Sequence, residues 1–225
     1  MNNQHLSRNK GFTLVEILLA LFVGLILLAT IYFSVVSGQR SSVAIESKVV
    51  AQQDVRAILD VMALEIGMAS YNPTHSLTLW DQWRGIRDVP NPAPPPANFA
   101  MDRAIRVLMD LDGTRTLSAI TYIYDVDNQQ ITRDNGLGPE PFLGDAAGSP
   151  RSVRVVNNDA ALPVFRYFDP AGVEIPLANL PARIPEIRRI EITLAVETEE
   201  IDPSTRQRRR MIYTTSVIPR NHGLF

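Results

Sequence analysis

The chain is 225 residues long, 45% hydrophobic and 20% charged, with a formal net charge of −2 and no cysteine. A balance so close to neutral gives no global field to recruit nucleic acid or anionic lipid, and without thiols any exported domain must stand on its core alone. About 150–185 residues remain beyond an apolar N-terminal run, enough for one core and not two.

That run is the first element. Residues 17–36 hold twenty positions without a charge, and a helix of that length rises about 30 Å, the thickness of a hydrocarbon core. Arg8 and Lys10 precede it with no acid between them, so the positive-inside bias places residues 1–10 in the cytoplasm and the rest of the chain outside. Glu16 is the one charged side chain between Lys10 and Arg40. A carboxylate within such a helix is disfavoured by about 2.5–3.5 kcal/mol, so Glu16 either sits at the headgroup level, where the penalty is small, or has a partner.

Three kinds of segment suit these facts. A cleaved secretory signal would end near Val36-Ser37-Gly38, but the run exceeds an h-region of about 7–15 residues. A plain uncleaved anchor accounts for length and orientation and leaves Gly11, Phe12 and Glu16 as coincidences. The third rests on the hexapeptide Gly11-Phe-Thr-Leu-Val-Glu16, behind a short basic leader and ahead of an apolar helix. It resembles the prepilin signal of type IV pilins and type II secretion pseudopilins. The resemblance implies cleavage by prepilin peptidase after Gly11 and N-methylation of the new terminus, Phe12. It also implies that Glu16 meets the N-terminal amine of a neighbouring subunit during assembly. The physics is coherent, since a carboxylate among packed helices demands an opposite charge. Many pilins carry a C-terminal disulfide, from which this cysteine-free chain departs.

Beyond the membrane-grade run the helical pattern continues. Val55, Ile58, Leu59, Met62 and Ile66 recur at helical spacing, with Gln52, Asp54, Arg56 and Asp60 on the other side. Asn72-Pro73 ends the pattern, because proline disfavours helical geometry in the residue before it. One helix from Phe12 to about Ser70 is predicted. Trp80 and Trp83 follow, read as core cover or as a contact patch for a partner subunit. Residues 89–99, with five prolines, read as a polyproline-like surface loop.

The remainder alternates like strands, over residues 104–109, 119–125, 129–133, 152–156, 164–168, 187–196 and 211–217. Turn-grade sequences at 125–128 and 169–172 predict local antiparallel hairpins, and residues 197–209 read as a polar loop joining the last two strands. The expected class is α+β, a long N-terminal helix packed on a C-terminal antiparallel sheet. Its organisation is a leader over 1–11, the membrane half of the helix over 12–40, and a globular part over 41–225. Residues 51–74, 109–134 and 214–221 resemble, in order, segments of PilW-type minor pilins, although Gly67 and Ser70 stand where that family commonly has arginine and glycine. The J-type minor pseudopilin is the rival, and a membrane-anchored periplasmic binding domain is the other.

Catalytic readings lack residues. His5, His75 and His222 have no metal-ligand spacing, and no phosphate loop or nucleophile elbow occurs. Residues 109–113, Met-Asp-Leu-Asp-Gly, match half a calcium loop without its later acidic ligands, and so read as a turn. Glu199, Glu200 and Asp202 read as solvated loop charges. The basic cluster at 206–210 reads as balanced by the acids of its own loop, with DNA the minority partner. The expectation is a non-enzymatic, cofactor-free minor pilin. Its partners are other minor and major pilins, prepilin peptidase, the inner membrane and the inner-membrane assembly machinery, and it moves from that membrane to the pilus.

Overall fold

The computed structural model describes residues 11–73, 85–90, 98–99, 101–114, 116–144, 153–202 and 205–222. The chain divides into two compact units, Met1–Ile45 and Glu46–Phe225, to both of which helix α1 (Leu14–Gly67, 54 residues) contributes. In the first unit the helix carries its apolar side chains in the open, Leu18 58%, Phe22 63% and Leu28 65% exposed among them. An 18-residue window reaches a mean hydropathy of 2.8, so this helix is long and apolar enough to cross a membrane.

In the second unit the same helix changes character. Ala51, Val55, Leu59, Met62 and Ile66 are buried and Ile58 packs beside them, while Arg56 and Asp60 are exposed. The helical period read from the sequence therefore marks the core face.

The fold is α+β, a long N-terminal helix followed by strands that, among the described residues, all pair antiparallel and divide into two main sheets and a small ladder. The five-stranded sheet runs β1 (Ile86–Arg87), β4 (Ala104–Met109), β5 (Ser118–Asp125), β6 (Gln130–Asp134), β7 (Pro139–Leu143). The second places β10 (Arg189–Ile201) between β11 (Arg208–Val217) on one side and β8 (Val153–Val155) with β9 (Phe165–Phe168) on the other. Tyr122, Ile131, Tyr167, Ile190 and Leu194 join the helix stripe in one continuous buried cluster.

Several boundaries differ from the sequence reading. Residues 197–201 and 208–209 are strand, so both ends of the expected polar loop belong to the ladder; Arg210–Glu197 (2.8 Å) and Arg208–Glu199 (3.2 Å) pairs carry it through the charged stretch. The proline-rich stretch begins and ends as a ladder, with β2 (Val89–Pro90) paired to β3 (Asn98–Phe99); its centre, like Trp80 and Trp83, lies outside the described residues. The turn at 125–128 does close the β5–β6 hairpin. The one at 169–172 leads only to a Phe168–Glu174 bridge before a helical passage that includes α2 (Leu180–Arg183).

Two close contacts hold the end of α1. Glu65 accepts hydrogen bonds from Arg133 Nε (3.0 Å) and Nη2 (2.6 Å) and from the Tyr122 hydroxyl. Burial, with Glu65 beside it, pushes the Tyr122 hydroxyl well above its ordinary range. Beyond the helix, the Ser70 amide donates to the Leu108 carbonyl (2.9 Å) and the Leu108 amide to the Gly85 carbonyl (2.8 Å). A Cβ on Gly85 would lie 2.0 Å from Ser70 Oγ.

Candidate assembly site at the start of the helix

Gly11, Phe12 and Thr13 are non-helical and Leu14 is the first residue of α1. The first turn of any helix leaves backbone N–H groups without intrahelical partners. Here two of them are met reciprocally. The Thr13 amide donates to Glu16 Oε2 (2.9 Å), the Glu16 amide donates to Thr13 Oγ1 (3.3 Å), and the Thr13 hydroxyl donates to the same carboxylate oxygen (2.9 Å). This is a capping box, with Thr13 at the N-cap and Glu16 at the third helical position. The carboxylate also stands at the positive end of the helix dipole.

Glu16 thus has a local reason for its position as well as the assembly reason implied by the resemblance. Only Oε2 is used among the described residues, which leaves Oε1 open to a group from outside the chain. Phe12 is 84% exposed, and among the described residues nothing lies within 4 Å of where a Gly11 side chain would begin. None of them therefore covers the peptide bond between these two residues. Thr13 escaped the sequence reading, although Thr-x-x-Glu ahead of an apolar run is the signature of this cap.

The other candidates fall elsewhere. His5 and His75 lie outside the described residues. His222 is buried, with Nδ1 3.1 Å from Ser70 Oγ and Nε2 2.7 Å from the Ile184 carbonyl oxygen, so it belongs to the packing of the chain end. Glu199 is engaged by Arg154 and Arg208. In the 109–113 segment, the Gly113 amide donates to Asp110 Oδ1 (2.9 Å), as in a strand-connecting turn. Among the described residues no group of three or more histidines and carboxylates is placed to hold a metal.

The sequence matches the family described as the prokaryotic N-terminal methylation motif over residues 6–32, which include Gly11, Phe12 and Glu16. Among solved structures, the chain is similar to a type IV-like pilin from Thermus thermophilus, at 9% identity and a TM-score of 0.42, covering 76% of this chain and 97% of that one. No curated protein matches it.

Proposed function

We infer that this chain is a minor pilin of the PilW type, a structural subunit that helps to prime a type IV pilus. The observation that carries the reading is the N-terminal methylation motif, set on a Gly11–Phe12 bond that no described residue covers, with a carboxylate one helical turn away. Prepilin peptidase would remove residues 1–11 at the cytoplasmic face and the terminal amine of Phe12 would be methylated. Until assembly, the apolar half of α1 would hold the subunit in the inner membrane with its second unit on the outer side.

Assembly then moves that half of the helix from lipid into a bundle of like helices. The loss of lipid contact is offset by packing the same side chains, from Phe12 to Phe33, against neighbouring subunits. Glu16 Oε1 would accept from the Phe12 amine of the next subunit, a pairing that neutralises both charges within the bundle. No covalent chemistry is required of the chain itself.

Low copy number follows from the bulk of the second unit. A second unit of this size, with a proline-rich sequence at 89–99, fits once at a fibre end more readily than at every helical step. The test is composition. Deleting the gene should sharply reduce fibre number while the chain remains a trace component of sheared fibres. Sheared material made mainly of this chain, or unchanged fibre number with loss of a secreted substrate instead, would overturn the assignment.

A further inference from the structure

We propose that the free edge of β11, with the groove beside it, receives an extended segment of a different subunit as an added β-strand. It is a strand uncharged in its middle and acidic at both ends. The inference concerns the second compact unit alone and does not rest on the membrane reading of the helix.

The edge is defined by the backbone. Among the described residues β11 has a strand neighbour on one side only, β10. On β10, the Thr193 amide donates to the Val164 carbonyl (2.8 Å), and the Thr193 carbonyl accepts from Asn157 Nδ2 (2.8 Å). Ala195 behaves alike, its amide donating to Asn157 Oδ1 (2.9 Å) and its carbonyl accepting from the Val156 amide (2.7 Å). Both residues direct their backbone groups away from β11. Their register partners, Thr214 and Ile212, are therefore in non-hydrogen-bonded pairs and direct their own N–H and C=O groups to the open side. By the two-residue period Arg210 and Ser216 do the same. All four residues are exposed, Ile212 55% so.

Natural sheets blunt such an edge by shortness, proline or cover, and the others here are blunted. β1 has two residues, β8 three and β9 four, while β7 carries Pro139 and Pro141. β11 offers ten residues without proline. A groove of about 750 Å³ lies along its C-terminal end, walled by Leu64, Met68 and Tyr71 of the helix end and by Val217 and Ile218. Leu64 is 66% exposed and Ile218 63%. An edge with open hydrogen bonds beside apolar pockets is the geometry of strand addition, in which the main chain gives affinity and alternate side chains give specificity.

Charge identifies the occupant. The seven residues Met211 to Val217 are uncharged, and the stretch is bracketed by two exposed cations, Arg209 and Arg220. Arg208 and Arg210 already pair with Glu199 and Glu197, whereas no carboxylate among the described residues pairs with Arg209 or Arg220. A second copy of this chain is a poor occupant. Two-fold antiparallel pairing about Tyr213 would bring Arg206, just before the strand of one copy, toward Arg220, just after the strand of the other, at both ends of the ladder, and like charges brought together repel. A segment with carboxylates flanking an uncharged strand meets both cations.

The test uses the full chain in detergent micelles and a fluorescent peptide of seven alternating Val and Thr residues between Glu-Glu pairs. Saturable binding is expected, with slowed hydrogen exchange at the Ile212 and Thr214 amides. Replacing the Glu pairs by Lys pairs, or N-methylating every second amide along the bonding edge, should each weaken binding by about tenfold or more, roughly 1.4 kcal/mol. Thr214→Pro removes an outward N–H, keeps every backbone bond to β10 and loses only the hydroxyl contact with Thr193 (3.2 Å), and should do the same. Because the peptide changes leave the protein intact, a misfolded variant does not blunt the test. No binding, equal binding of the N-methylated or Lys-flanked peptides, or protection confined to other strands would overturn the proposal. So would self-association of the chain abolished by Thr214→Pro, which would make a second copy the occupant.

Discussion

Arg133, on the third strand of the five-stranded sheet in chain order of its long members, grips Glu65 of α1 with both prongs of its guanidinium, Nη2 to Oε1 at 2.6 Å and Nε to Oε2 at 3.0 Å. Their side chains retain 26% and 13% of their exposure, so the pair is screened less than a surface bridge and desolvated less than a core one. In a soluble fragment beginning at Ser41, which should fold with mixed helix and strand, Arg133→Ala is expected to cost about 2 kcal/mol in urea unfolding. The Glu65→Ala, Arg133→Ala double variant should lose less than the sum of the single losses, because neither charge is then left alone. Additive losses would mean the pair is a bystander to the docking of helix on sheet.

Gly85 is set by contact. A Cβ there would meet Ser70 Oγ at 2.0 Å and the Ser70 backbone nitrogen at 2.2 Å, and Ser70 is itself fixed by a φ of 65° and its bond to the Leu108 carbonyl. Backbone cannot yield as a side-chain tip can. Gly85→Ala should cost about 3 kcal/mol and lower the midpoint without changing the unfolding slope. A loss within the surface range, about 0.5 kcal/mol, would contradict this packing.

Acid stability has identifiable sources. The Arg166 guanidinium holds the Glu174 carboxyl below its ordinary 4.5, and amide bonds from Val173 and Ala171, with Arg183, hold Asp169 below its ordinary 3.8. Lowered folded values mean that the unfolded chain takes up protons first. The stabilisation is then complete above the unfolded values and lost as pH falls through the folded ones. Stability of the fragment should decline between about pH 5 and pH 2, and Arg166→Ala should flatten that decline. An unchanged slope in the variant would remove Glu174 from the account.

The capping box and the assembly role of Glu16 can be separated. Glu16→Gln keeps a cap acceptor and removes the charge, Thr13→Ala removes the cap and keeps the charge, and Glu16→Ala removes both. If Glu16 serves a neighbour's amine, incorporation into fibres should fall in Gln and Ala alike, with leader removal intact. Thr13→Ala should lose only the roughly 1 kcal/mol of a helix cap. Normal incorporation of Glu16→Gln with impaired Thr13→Ala would make Glu16 a cap and nothing more.

How far the sequence was legible depends on whether the signal was local. The stripe from Val55 to Ile66 shows itself because a helix face repeats at a fixed period, and residues 104–109 show themselves as a strand by β-branched and apolar side chains alone. Residues 139–143 did not, since Pro139 and Pro141 argue against a strand until its place at a sheet edge is known. Pro181 and Pro185 hid the helical passage at 177–186 in the same way. Residues 197–201 were concealed by their charges, whose partners Arg208 and Arg210 lie across the ladder. Glu65 gave no sign of its role, because its partners are 57 and 68 residues away. At the candidate site, Gly11, Phe12 and Glu16 were legible as a motif. The cap is written there too, in Thr13 three residues ahead of the glutamate.

The most direct test of the account is the N-terminus of the chain isolated from assembled fibres. Mass spectrometry should find a single species that begins at Phe12, methylated on its amine, with residues 1–11 absent. A chain that keeps its leader in the fibre, or one cut near Gly38, would contradict the pilin reading at its root.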